Sequence, residues 1–164
     1  MDINSILIEI KEILHSENEV ADKLYKVCLY LEQNVSHYDW VGFYFANHSH
    51  KTLHLGPYAG EPTDHKVIPF GKGICGQVAE SNETFLVEDV KAQDNYIACS
   101  INVKSEIVVP LFVNNQNVGQ IDIDSNTPNA FTTEDEDLLK AINLSIAKIA
   151  ETEKISMLDL VNID

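Results

Sequence analysis

Apolar positions recur with a helical period at the start of the chain. Ile6, Ile10, Ile13 and Leu14 share one helix face, and Ser16-Glu17-Asn18 interrupts the run. Val20, Leu24, Val27, Leu31 and Val35 then form the stripe of a second helix. From Tyr38 the period drops to two. Trp40 to Phe45 reads as a strand, with Val41, Phe43 and Phe45 on one face and Trp40, Gly42 and Tyr44 on the other. Lys51 to Leu55 and Thr84 to Val87 read as further strands, as do Glu106 to Val113 and Val118 to Asp124. Asn114-Asn115-Gln116-Asn117 supplies the hairpin turn between the last two. Val67-Ile68-Pro69 leads into a tight glycine turn, Gly71-Lys72-Gly73, and a short helix is expected from near Cys75 to about Ser81. Lys91 to Lys104 shows no period and reads as a long, partly helical loop. The closing helix starts at a capping box of Thr133 and Glu136 and carries Leu139, Ile142, Ile146 and Ile149 on its apolar face.

This order predicts an α+β fold: a central antiparallel sheet with the N- and C-terminal helices packed on one face. A length of 164 residues suits one domain with one core. Within it, residues 1–37 are expected to form the N-terminal helices and 38–131 the sheet and its loops. Residues 132–151 form the C-terminal helix and 152–164 a tail.

Charge narrows the function classes. The chain holds 26 acidic against 11 basic residues, a formal net charge of −15, and every basic residue is lysine. Without arginine, and with this excess of negative charge, neither nucleic acid nor an anionic membrane surface is an expected partner. A small ligand bearing an ammonium group is compatible with it, as is a charge that only maintains solubility. The N-terminal residues lack a basic segment ahead of an apolar one, and the longest apolar run, Ile107 to Val113, is too short to span a bilayer. A cytoplasmic protein is expected. Three cysteines, Cys28, Cys75 and Cys99, argue against a structural disulfide framework.

Several residues could carry chemistry. Asp122 and Asp124 alternate with Ile121 and Ile123, so both carboxylates share one strand face; Glu106, at the start of the neighbouring strand, adds a third. They form either a solvated face or a pocket, and in a pocket at least one pKa should rise. Trp40 and Tyr44 flank Gly42 on one face and could bound an apolar hollow for a methyl or thioether group, or simply pack in the core. Cys75 sits at a helix start beside Lys72, a setting that favours a thiolate. Cys99 lies in the irregular segment, and Cys28 beside an apolar helical stripe, as a small buried hydrophobe would. None of the six histidines pairs with a cysteine at zinc-ligand spacing, and neither a Gly-x-Ser-x-Gly elbow nor a phosphate-binding loop occurs.

Taken together, several segments resemble the free methionine-R-sulfoxide reductases. They are Trp40-Val41-Gly42-Phe43-Tyr44, Gly71-Lys72-Gly73-Ile74-Cys75-Gly76, Ile97-Ala98-Cys99, Ser105 to Pro110, Ile121 to Ser125 and Phe131 to Glu136. The resemblance implies a single GAF domain, a homodimer, and reduction of free L-methionine-R-sulfoxide without metal or organic cofactor. It implies Cys99 as the catalytic cysteine and Cys75 as a second redox cysteine, with a thioredoxin-type reductant. Trp40 and Tyr44 would hold the substrate's methyl end. Glu106, Asp122 and Asp124 would bind its polar groups, and Glu106 and Asp124 would assist proton transfer. Where many members of the family carry a further cysteine, ten residues before Cys75, this chain has His65. The alternative is a non-catalytic GAF module that binds a small ligand or senses redox state.

Overall fold

Two helices open the chain, α1 (Ile3–Leu14) and α2 (Val20–Asn34). The computed structural model describes residues 1–93 and 102–161. Three strands follow α2: β1 (Trp40–Asn47), β2 (Thr52–Ala59) and β3 (Val67–Pro69). Helix α3 (Gly73–Ser81) separates them from β4 (Phe85–Val87), β5 (Ser105–Val113) and β6 (Gln116–Ser125), and α4 (Thr133–Glu153) closes the fold. The six strands make one antiparallel sheet in the order β3-β2-β1-β6-β5-β4. The first and last long strands therefore pair at its centre. Among the described residues, no helix is long and apolar enough to cross a membrane.

The period-two pattern decides which side of the sheet each element covers. Val41, Phe43 and Phe45 of β1, Ile107, Val109 and Leu111 of β5, and Ile121 and Ile123 of β6 point to one face. There they meet Ile10, Leu24, Leu31, Leu139 and Ile142 from α1, α2 and α4. The N- and C-terminal helices thus share one face, as their apolar stripes require. Cys28 belongs to this core, fully buried, and burial pushes its thiol well above its ordinary pKa. The opposite face carries Trp40, Tyr44 and Val108 and is covered by α3 through Ile74, Cys75 and Val78.

Three local expectations shift. The hairpin turn is two residues, Asn114 and Asn115, both left-handed with φ of 51° and 64°, so Gln116 and Asn117 belong to β6. Asparagine tolerates that conformation better than most residues, which sets the tight turn here. The capping box of α4 lies one residue earlier than expected, at Thr132 and Asp135: the Asp135 carboxylate accepts the Thr132 backbone N–H at 2.8 Å. Asp135 is preferred to Glu136 because it also accepts from the Tyr38 hydroxyl at 2.8 Å and contacts His37 Nε2 at 2.7 Å, tying α4 to the start of β1. Past α4 the chain turns back as a short 3-10 segment, Met157–Leu160, and Met157 enters the core.

Candidate active site

The two central strands set the site in adjacent rungs. Trp40 pairs with Asp124, and Asp124 with Glu106; in the next rung on the same face, Gly42 pairs with Asp122 and Asp122 with Val108. Glu106, Asp122 and Asp124 are 4%, 1% and 1% exposed, so these carboxylates are not a solvated face. Helix α3 lays Cys75 over them. The Cys75 Sγ–H donates to Asp122 Oδ2 at 3.2 Å, while Asp122 Oδ1 has no hydrogen-bond partner among the described residues. Burial raises the Asp122 carboxyl above its ordinary value, against the pull of hydrogen bonds from Glu106 and Cys75. The raised pKa makes the Asp122 carboxylate a stronger base than a solvated aspartate.

The Cys75 thiol follows the opposite course to the one its helix position suggests. Its pKa is raised well above the ordinary value, first by burial and then by the Asp122 and Glu106 charges, with Asp124 adding to them. A helix of nine residues and one lysine supply less field than three buried carboxyls in contact or near-contact. Cys75 is a protonated thiol here, and the expected thiolate is corrected accordingly.

Trp40 and Tyr44 lie close, with ring centroids 6.3 Å apart. Trp40 does flank Gly42, but the Trp40 ring itself folds over the glycine: a Cβ there would sit 2.7 Å from Trp40 Cζ3. Trp40 stacks on Tyr58 with ring centroids 5.5 Å apart, and its Nε1–H donates to the Glu61 carbonyl at 3.1 Å. Tyr44 is fully buried, and its hydroxyl donates to the His65 carbonyl at 3.0 Å.

Two cavities divide the predicted residues. A small one of about 10 Å³ lies among Tyr44, His65, Lys72, Cys75, Glu106 and Asp122. A larger one of about 490 Å³ lies beside Trp40 and Asp124, with Glu32, Asp39 and Glu61 in its walls. The larger space is within the range of small-molecule pockets, and its acidic lining suits an ammonium group; the smaller holds about one water. Cys99 lies outside the described residues. Asn102 and Val103, the third and fourth residues after it in the chain, line the larger cavity.

Gln120 is a further residue of this face. It pairs with Tyr44, is fully buried, and neither its Oε1 nor its Nε2 has a hydrogen-bond partner among the described residues. The signal was available: the alternation of Asp122 and Asp124 with isoleucines extends back to Gln120. His65 and Lys72 also line the small cavity. No pattern in their own segments shows it, because only the packing of α3 on the sheet brings them there.

Comparison with known proteins places this geometry. Residues 15–148 match the GAF domain family. The free methionine-R-sulfoxide reductase of Escherichia coli (strain K12) is 38% identical over 122 residues, which cover 74% of this chain and 72% of that protein. This chain belongs to the free methionine-R-sulfoxide reductase family. The reductase of Neisseria meningitidis, solved in complex with its substrate, superposes with a TM-score of 0.86 at 31% identity, covering 93% of this chain and 92% of that one. The Staphylococcus aureus protein of the family, also solved with substrate, gives 0.81 at 33% identity, over 90% and 94%. The fold and the α+β architecture are those of the family's GAF domain.

Proposed function

We propose that this protein reduces free L-methionine-R-sulfoxide to L-methionine, with Cys99 as the attacking thiol. The observation that carries the reading is the Cys75 thiol hydrogen-bonded to the buried Asp122 carboxyl, one rung from Trp40, Asp124 and Glu106. A family whose members act on this substrate supplies its identity.

The chemistry follows from the charges. Cys99 thiolate attacks the sulfoxide sulfur, and a carboxylic acid, Glu106 or Asp124, protonates the sulfoxide oxygen so that no oxyanion builds up in a buried site. Methionine leaves as the thioether. The substrate S–O bond and the new sulfur–sulfur bond break as the hydroxyl passes to the Cys99 sulfur as sulfenic acid, so Cys99 is oxidised by two electrons and the substrate reduced by two. The Cys75 thiol then attacks the sulfenic sulfur, its proton passing to Asp122, a base strengthened by burial; water leaves and the Cys75–Cys99 disulfide forms. A thioredoxin-type dithiol reopens it. Trp40 and Tyr44 hold the methyl end, and Asp122, Asp124 and Glu106 bind the polar end. The larger cavity, with its acidic wall, receives the ammonium group. No step needs a metal or organic cofactor. A cytoplasmic homodimer is part of the same reading.

The test is methionine release by purified protein from the free R-sulfoxide, the free S-sulfoxide and the N-acetylated R-form, with dithiothreitol and then with thioredoxin. Release confined to the free R-form and lost in Cys99→Ala supports the reading. Equal release from the S-form, or full activity in Cys99→Ala, refutes it. A non-catalytic GAF ligand-binding or redox-sensing module is the second reading, favoured by one observation: only about 10 Å³ of space adjoins Cys75. It requires ligand binding with no release from any form.

A further inference from the structure

The site holds a donor set that proton transfer alone does not explain. Cys75 Sγ, a Glu106 carboxylate oxygen and an Asp122 carboxylate oxygen lie within 4.8 Å of one another, all from buried residues. Asp122 Oδ1 is buried, unpartnered among the described residues, and its side chain borders a cavity of about 10 Å³. That volume suits a single atom-sized occupant, water or an ion, and not an organic ligand. We propose that the reduced protein binds a thiophilic divalent cation of the zinc type through Cys75, Glu106 and Asp122, and that this cation inhibits it reversibly. The inhibition rests on the functional reading above; the binding does not.

One thiolate with two carboxylates is a borderline-soft set that favours zinc over magnesium or calcium. Tetrahedral zinc with bonds of about 2.0–2.3 Å holds its donor atoms roughly 3.3–3.8 Å apart. The Cys75–Asp122 pair, at 3.2 Å, is already at that spacing, and the remaining donor closes in by about an ångström. Three protein ligands leave one of zinc's four positions open. Binding releases the Cys75 proton to solvent and leaves a metal-bound thiolate. Cys75 is kept protonated first by burial and then by nearby negative charge, and the cation cancels the second of these. Lys72, on the cavity wall, opposes the cation, but Glu106 and Asp122 on the same wall and Asp124 close by outweigh it. With zinc seated, the Cys75 sulfur is a weaker nucleophile pinned against the carboxylates, and the two carboxylates are withdrawn from the substrate.

The experiment is a cobalt(II) titration of the full chain, reduced with a phosphine and freed of small thiols. A one-to-one thiolate-to-cobalt absorption band in the near ultraviolet is expected, displaced by zinc and not by magnesium. Cys75→Ser abolishes it, Asp122→Asn weakens cobalt at least tenfold, and Cys28→Ser and Cys99→Ser keep it. Absence of the band at saturating cobalt, its survival in Cys75→Ser with unchanged affinity, or its loss in Cys99→Ser overturns the site. Because Asp122→Asn keeps the volume and removes a buried charge, its effect does not depend on Cys75→Ser folding. Zinc should also suppress methionine release and a chelator restore it. A band without turnover leaves the metal site standing and sinks the reductase; turnover that zinc does not suppress sinks the inhibition.

Discussion

Asp122 shows how one side chain can serve function at the expense of stability. It is 1% exposed, one carboxylate oxygen has no partner among the described residues, and burial raises its pKa. A carboxyl whose folded pKa lies above its unfolded one is at its most favourable to folding when protonated. Its contribution is lost as pH rises from the unfolded value through the folded one. Asp122→Asn removes the titration. In urea unfolding, the variant should be more stable than the parent at pH 7 by on the order of 1 kcal/mol, and the difference should shrink below about pH 4, where both side chains are neutral. Methionine release should fall at least tenfold in the same variant. A variant less stable at pH 7 than at pH 4, relative to the parent, would contradict the sign. The strand alternation made it legible that Asp122 and Asp124 share a face. It could not show what lies over them, because Cys75 reaches Asp122 across 47 residues of chain. The same gap explains the reversed state of Cys75: a helix start and Lys72 are visible locally, whereas the buried carboxyls that outweigh them arrive only with the tertiary fold.

Helix α3 places Cys75, and its first turn is set by glycine. A Cβ on Gly76 would lie 2.6 Å from the Pro69 carbonyl oxygen and 3.1 Å from the Gly71 nitrogen, so only glycine lets the helix dock against the end of β3. The Gly71 N–H donates to the Gly76 carbonyl at 2.8 Å and holds the turn in place. Gly76→Ala pushes α3 away from that backbone, at a cost of about 1–3 kcal/mol. It moves Cys75 relative to Asp122. Multiple-turnover release, which needs Cys75 to resolve the sulfenic acid, should fall more than the first turnover measured without reductant. Equal losses in both would show that α3 serves only stability. The sequence marked this segment as turn and helix, but the reason for Gly76 is a contact outside the helix. Strand β2 shows the same limit. Its readable alternation stops at Leu55 because Gly56-Pro57 breaks it, yet the strand runs to Ala59, since Val41 and Gly42 of β1 pair with Ala59 and Tyr58.

Across the whole molecule, the two faces of the sheet divide the work. One face with α1, α2 and α4 is a continuous apolar core; the other, under α3, buries Glu106, Asp122 and Asp124 beside Cys75. The net charge of −15 adds self-repulsion to the folded state. Raising sodium chloride from low to about 0.5 M, where the screening length falls to a few ångströms, should therefore raise the Tm. A flat or falling Tm would mean that the acidic side chains are already neutralised by one another's protons or by bound cations. The division of faces carries the stronger test. Ile142 is fully buried in the helical core and touches none of the site residues' cavities. Ile142→Ala leaves a void under α4 and should cost about 2–5 kcal/mol in denaturant unfolding. Because the sheet stands between that void and Cys75, methionine release per folded molecule, assayed well below the lowered Tm, should stay within about twofold of the parent. Asp122→Asn should show the reverse, stability gained and turnover lost. If Ile142→Ala instead slows turnover by an order of magnitude while the protein remains folded, the sheet transmits core packing to the site, and the two faces are one mechanical unit.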